Sequence, residues 1–207
     1  MCSFTTEDAE NIEVLDDLGT IQTPSPSIAN RTSDGDDIEN IPDSDSTAVM
    51  WLPALNLFMK DKEILLSSTA WLNDALIRAS LLCLRKQFGG VGGLGDPLLV
   101  HALKLKCKNE MFVQVLLHGK CHWAAVSNKA CPDGTVRFYD SLQWGPDIEI
   151  KKKIALLACY DTSQIIIECM NVQKQSGSDD CWLMAIAFVK CLLFEQDPVN
   201  VRFDQKR

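Results

Sequence analysis

Ser176-Gly-Ser-Asp-Asp180, a run of small and acidic residues, leads directly into Cys181. From there to Phe194 apolar residues recur at helical intervals, and the pattern ends before Pro198. A helix that is apolar on most of its surface must be buried against other elements. The chain offers strands for that purpose. Met111 to Leu117, His122 to Ser127 and Thr135 to Tyr139 are rich in Val, Phe and Tyr, and Pro132-Asp-Gly134 supplies a turn between the last two. Gln164 to Val172 is β-branched and apolar enough for a buried strand. Further helices are expected after Trp71-Leu-Asn-Asp74, with Asn73 or Asp74 as cap and Arg85-Lys86 at the far end, and over Asp147 to Tyr160. In the latter, Ile148, Ile150, Ile154, Leu156 and Leu157 are the core candidates. Gly89 to Gly95 reads as loop, because it lacks the strand-and-helix setting of a phosphate cradle. The expected class is α+β, with a central, mostly antiparallel sheet flanked by helices.

Charge divides the 207 residues in two. Residues 1–49 hold twelve acidic side chains against Arg31, a net of −11, whereas the whole chain carries −8 and residues 50–207 therefore +3. With one aromatic residue, Phe4, and turn-rich runs at Thr23 to Ser27 and Ser33 to Asp37, the first 49 residues are expected to form a disordered acidic tail. Residues 50–207 are expected to form one packed globular domain. No stretch is apolar enough for a membrane span, the acidic start does not fit a secretory signal, and no basic stripe suits nucleic acid. Nine scattered cysteines without a CxxC pair favour free thiols in a reducing compartment, cytoplasm or nucleus.

Chemistry concentrates around Cys181. A thiol at a helix N-terminus gains positive potential and free amides, and an adjacent imidazolium adds to both. His122 opens one strand, and Asp140 follows the next, where it could fix the histidine tautomer. Gln175 could return its side-chain amide across the Ser-Gly-Ser turn to an oxyanion hole. Each residue alone has a plainer role, as core thiol, structural histidine, turn cap or strand end. Together they are the parts of a thiol nucleophile, its base, the base's orienter and an oxyanion donor.

Trp71-Leu-Asn-Asp74, His122-Trp123, Tyr139-Asp140-Ser141 and Gln175-x-x-x-x-Asp180-Cys181 resemble the motifs of the ubiquitin-like-protein-specific cysteine proteases. These are the SUMO- and NEDD8-deconjugating enzymes, related to adenovirus protease. The resemblance runs from about Trp51 to Phe194. It implies a papain-like cysteine protease fold, a Cys181–His122–Asp140 triad, Gln175 at the oxyanion hole, and no metal or other cofactor. It also implies that Trp71 and Trp123 line a narrow channel for the Gly-Gly end of a ubiquitin-like modifier. The expected activity is thiol-protease hydrolysis after that C-terminal glycine, by a monomer whose partner is the modifier or its conjugates.

One departure stands out: Trp182 follows the nucleophile where the family usually has glycine. A pseudoenzyme that binds the modifier without turnover is therefore the alternative. A zinc module built on Cys107, His118, Cys121 and His122 is a third class, disfavoured by spacing. In the tail, Ile12-Glu-Val-Leu15 before Asp16-Asp17 has the pattern of a SUMO-interacting segment.

Overall fold

The computed structural model describes residues 2–5, 49–67, 70–101, 111–158 and 164–205. In chain order the elements are β1 (Cys2–Thr5), β2 (Met50–Leu52), β3 (Leu57–Phe58), α1 (Met59–Leu66), α2 (Asp74–Gln87), β4 (Gly92–Gly93), α3 (Pro97–His101), β5 (Phe112–His118), β6 (His122–Ser127), β7 (Thr135–Tyr139), α4 (Ile148–Ala158), β8 (Gln164–Met170) and α5 (Cys181–Leu193).

The main sheet has the order β1-β8-β7-β6-β5-β4. Its β5–β6, β6–β7 and β1–β8 pairs are antiparallel, while β7–β8 and β4–β5 are parallel. Alternation along β5 and β6 sends side chains to two separate cores. On one face Val113, Val115 and Ala125 meet Ile77 and Leu81 of α2 and Met184, Phe188 and Val189 of α5. On the other, Phe112, Leu116, Ala124 and Val126 meet Ile150, Ile154 and Leu157 of α4. The apolar helix after Cys181 is buried for this reason: it lies across the sheet and under α2. A smaller cluster of Leu57, Leu72, Leu76 and Ala79 joins the β2–β3 hairpin to α2.

Local signals explain the boundaries. Asn73 caps α2, its Oδ1 accepting from the Leu76 amide at 3.0 Å, and Asp147 accepts from the Ile150 amide at 2.8 Å to begin α4. Gly134, at φ 73°, closes the turn into β7, and Thr135 N–H donates to the Pro132 carbonyl at 3.0 Å.

Four expectations are corrected. Within the glycine-rich stretch, Gly92–Gly93 is a strand and not loop. Gly93 has φ +76°, and a Cβ there would stand 2.4 Å from the Val113 carbonyl oxygen, so only glycine allows this approach. Ile148 is 52% exposed and Leu156 half-buried, because the buried stripe of α4 runs through Ile150, Ile154 and Leu157. In β8 only Ile165 and Ile167 enter the core, while Ile166 is 38% exposed on the opposite face of the strand. Finally, Cys2–Thr5, at the head of the segment expected to be disordered, pairs with β8, whose outer edge offers unpaired backbone groups. Residues 6–48, with the Ile12–Leu15 pattern, lie outside the described residues, as do Cys107 and Cys159.

Candidate active site

Three neighbouring elements converge on one point. Cys181 is the first residue of α5, His122 the first of β6, and Asp140 directly follows β7. All three are nearly inaccessible to solvent. His122 Nε2 lies 2.5 Å from Asp140 Oδ1. Asp140 also accepts from the Leu142 amide at Oδ1 and the Trp144 amide at Oδ2, both at 2.8 Å. Its carboxylate is therefore held in one orientation by the turn that follows it.

Electrostatics follow from that geometry. Burial alone would lower the His122 pKa, but the hydrogen bond to Asp140 and the neighbouring Cys181 sulfur more than offset it. The value is raised from 6.5 to about 9. Burial would raise the Asp140 pKa, yet His122 and the two backbone amides hold it below the ordinary carboxylate range. The pair is consequently an imidazolium–carboxylate at neutral pH. With Nε2 taken by Asp140, the ring's Nδ1 is buried and makes no hydrogen bond to oxygen or nitrogen. In its protonated form the Cys181 thiol points at the Cys121 carbonyl, 3.8 Å away.

Gln175 is also buried and held from three sides. Its amide N–H donates to the Ser141 carbonyl at 3.0 Å, its Oε1 accepts from the Ser141 hydroxyl at 2.6 Å, and its Nε2 donates to the Gly177 carbonyl at 3.1 Å. One N–H of the side-chain amide is thus engaged and the second is left over. Gly177, at φ +77°, makes the bend that returns the chain to Cys181.

Trp71 and Trp123 line one groove of about 310 Å³, together with Leu98, Leu117, Lys120 and Cys121. Trp123 is buried and Trp71 half-exposed. The Trp71 indole donates from Nε1 to Asp179 Oδ1 at 2.7 Å, so the groove wall is tied to the loop that precedes the thiol. Trp182 is turned elsewhere. Its indole packs against the two apolar clusters on the α2 side of the sheet and does not line the groove.

Several residues at the site were given no part in catalysis by the sequence. Trp144 lies 4.9 Å from the His122 ring, centroid to centroid, while remaining 65% exposed. The tight turn that puts it there has Gln143 at φ 58° and Gly145 at φ +76°. His118 faces His122 across the β5–β6 hairpin. Ser141 and Asp179 act through the hydrogen bonds just described. Asp61, 1% exposed, accepts from Asn73 Nδ2 at 2.7 Å and from the Phe58 amide at 2.8 Å, steadying the cap below Trp71. Ser141 belongs to the Tyr139-Asp140-Ser141 motif and Asp179 lies within the run from Gln175 to Cys181, but neither had a contact assigned from sequence.

No protein-family model matches the chain. Over 70 residues it is 33% identical to NEDD8-specific protease 1 of Schizosaccharomyces pombe, a match covering 34% of this chain and 16% of that protein. The SUMO protease Ulp1 with its catalytic cysteine oxidised to a sulfinic acid superposes with a TM-score of 0.57 at 15% identity, covering 78% of this chain and 82% of that one. The C-terminal Ulp1 protease domain in complex with Smt3, the yeast ortholog of SUMO, gives 0.54 at 15% identity, covering 74% and 78%. The fold is that of the Ulp1-type proteases. The likeness to ubiquitin-like-protein-specific proteases implied by the four motifs is thus met in sequence by one relative and in architecture by the Ulp1 structures. Among the described residues no helix is long and apolar enough to cross a membrane.

Proposed function

We propose that this chain is a cysteine peptidase or isopeptidase that cleaves after the C-terminal glycine of a ubiquitin-like modifier, of SUMO or NEDD8 type. The observation that carries the reading is the buried His122–Asp140 pair against the thiol that opens α5. In this reading Cys181 is the nucleophile, His122 the base, Asp140 its orienter and Gln175 an oxyanion donor. The groove between Trp71 and Trp123 receives the Gly-Gly end, since flat aromatic walls admit a glycine backbone and exclude side chains.

The steps follow from charge. With His122 as its charged imidazolium partner, Cys181 reacts as the thiolate and attacks the glycine carbonyl carbon. The resulting oxyanion is stabilised by the Cys181 backbone amide and the remaining N–H of Gln175. The His122 imidazolium then gives its proton to the departing lysine amine, which leaves a thioester. Water, deprotonated by His122, attacks the thioester and restores the thiol.

Residues 50–207 are the proposed catalytic domain, acting as a monomer without cofactor. Free thiols at Cys83, Cys121, Cys131 and Cys169 support a reducing compartment, cytoplasm or nucleus. Trp182 packs against the apolar clusters and does not line the groove, which supports turnover over the alternative of a modifier-binding pseudoenzyme.

Incubation with SUMO, NEDD8 and ubiquitin vinyl-sulfone probes, beside a Cys181→Ala control, tests the proposal. A Cys181-dependent adduct with one probe supports it and names the modifier. Binding of a modifier by folded protein with no adduct would favour the pseudoenzyme.

A further inference from the structure

His118 is a buried titratable side chain that the mechanism above does not use. It ends β5 directly opposite His122, in register across the hairpin, and the two rings are 5.8 Å apart. Its Nε2 lies 3.2 Å from Asp147 Oδ2. Its Nδ1 is buried with no hydrogen-bond partner, although the side chain is only 8% exposed. Leaving such a nitrogen unsatisfied has a cost that an apolar residue would avoid.

One ligand atom each from His118, His122 and Asp140 can be chosen so that all three lie within 4.8 Å of one another. Zinc takes histidine nitrogen at about 2.0–2.1 Å and carboxylate oxygen at about 2.0–2.2 Å, so ligand atoms on one ion stand roughly 3.3 Å apart. Opening the 2.5 Å His122–Asp140 contact and drawing in His118 each require shifts of roughly an ångström. The second layer is already present. Metal-bound histidines usually give their other ring N–H to a carboxylate, and Asp147 stands at that place for His118. Two imidazoles and a carboxylate, with water in the fourth position, suit Zn²⁺. The exposed indole of Trp144 covers the cluster, its ring 4.9 Å from His122 and 6.0 Å from His118.

We propose that His118, His122 and Asp140 form an inhibitory Zn²⁺ site whose occupation switches the protease off. The ion takes a lone pair of His122 and the carboxylate of Asp140, so the ring can neither pair with the Cys181 thiolate as an imidazolium nor give a proton to the leaving amine. Binding releases the proton carried by His122, and chelation reverses it. The regulatory consequence rests on the reading of His122 as the base, whereas metal binding itself does not.

The test separates the two. The full chain bearing Cys181→Ser is titrated with Co²⁺, followed by absorption, and then with competing Zn²⁺. The expected result is one ion per chain with a nitrogen–oxygen ligand spectrum and no thiolate-to-cobalt band. Adding His118→Gln is expected to weaken binding at least tenfold, and Asp147→Asn about tenfold as a partner of the ligand. Binding unchanged within twofold in both variants, or a thiolate band in the parent, overturns the site. If His118→Gln does not fold, the half-exposed Asp147→Asn variant decides the same question. In the Cys181 protein, Zn²⁺ should abolish vinyl-sulfone labelling, chelator should restore it, and His118→Gln should need at least tenfold more Zn²⁺. Equal Zn²⁺ sensitivity in that variant overturns the switch. A chain that no probe labels even without metal fails the functional reading, and the Co²⁺ titration still decides the site.

Discussion

His122 holds its proton into the alkaline range because Asp140 and the Cys181 sulfur outweigh the effect of burial. That sets the expected pH dependence. The proton delivered to the leaving amine is lost as pH rises through about 9, so kcat/KM should have an alkaline limb there. Asp140→Asn removes the largest stabilising cause, and the limb should move down towards 6.5, the ordinary imidazole value. An alkaline limb that stays in place in the Asp140→Asn variant would show that Asp140 does not govern the ring. Gln175→Ala should lower kcat roughly a hundredfold to a thousandfold with modifier affinity retained, as steady-state kinetics and a binding titration would show. That Cys181, His122 and Asp140 come together was legible in the sequence because each sits at an element boundary marked by its own motif. Trp144 was not readable. Its approach to His122 depends on a turn with Gln143 in the left-handed region, and no pattern in the residues announces that.

Among the elements, the start of α2 and the β5–β6 hairpin form two sides of the groove, and a few polar contacts hold the α2 side. Asn73→Ala removes the α2 cap and the Asp61 contact together. It should cost about 1 kcal/mol or more in urea unfolding, since Asp61 would keep a buried oxygen unpaired. Gly93→Ala forces a Cβ against the Val113 carbonyl at positive φ and should cost roughly 1–3 kcal/mol, measured the same way. A melting curve unchanged by Gly93→Ala would mean that β4 does not need its close approach to β5. The bounds of β6 and β7 agree with the sequence reading because β-branched and aromatic runs end at turn residues. β4 was invisible, since two glycines have no side-chain pattern to read. The extent of burial in α4 and β8 was also illegible: an isoleucine looks the same on either face until the neighbouring layer is known.

For the molecule as a whole, the His122–Asp140 pair links stability to pH. The raised His122 pKa contributes stability that is complete below about 6.5 and lost as pH rises through about 9. The depressed Asp140 pKa contributes stability that is present above the ordinary carboxylate range and lost as pH falls. The pair should therefore support a melting-temperature plateau in mildly acid solution, declining towards pH 9, and His122→Ala should flatten that decline. Three of the chain's five tryptophans, Trp71, Trp123 and Trp144, stand at the groove or over the His122 ring, and one of them is hydrogen-bonded to a carboxylate. The protein accordingly carries its own optical gauge. Entry of the proposed glycine tail displaces water from the half-exposed Trp71 indole beside the buried Trp123, so intrinsic emission should shift to the blue and report occupancy in unlabelled protein.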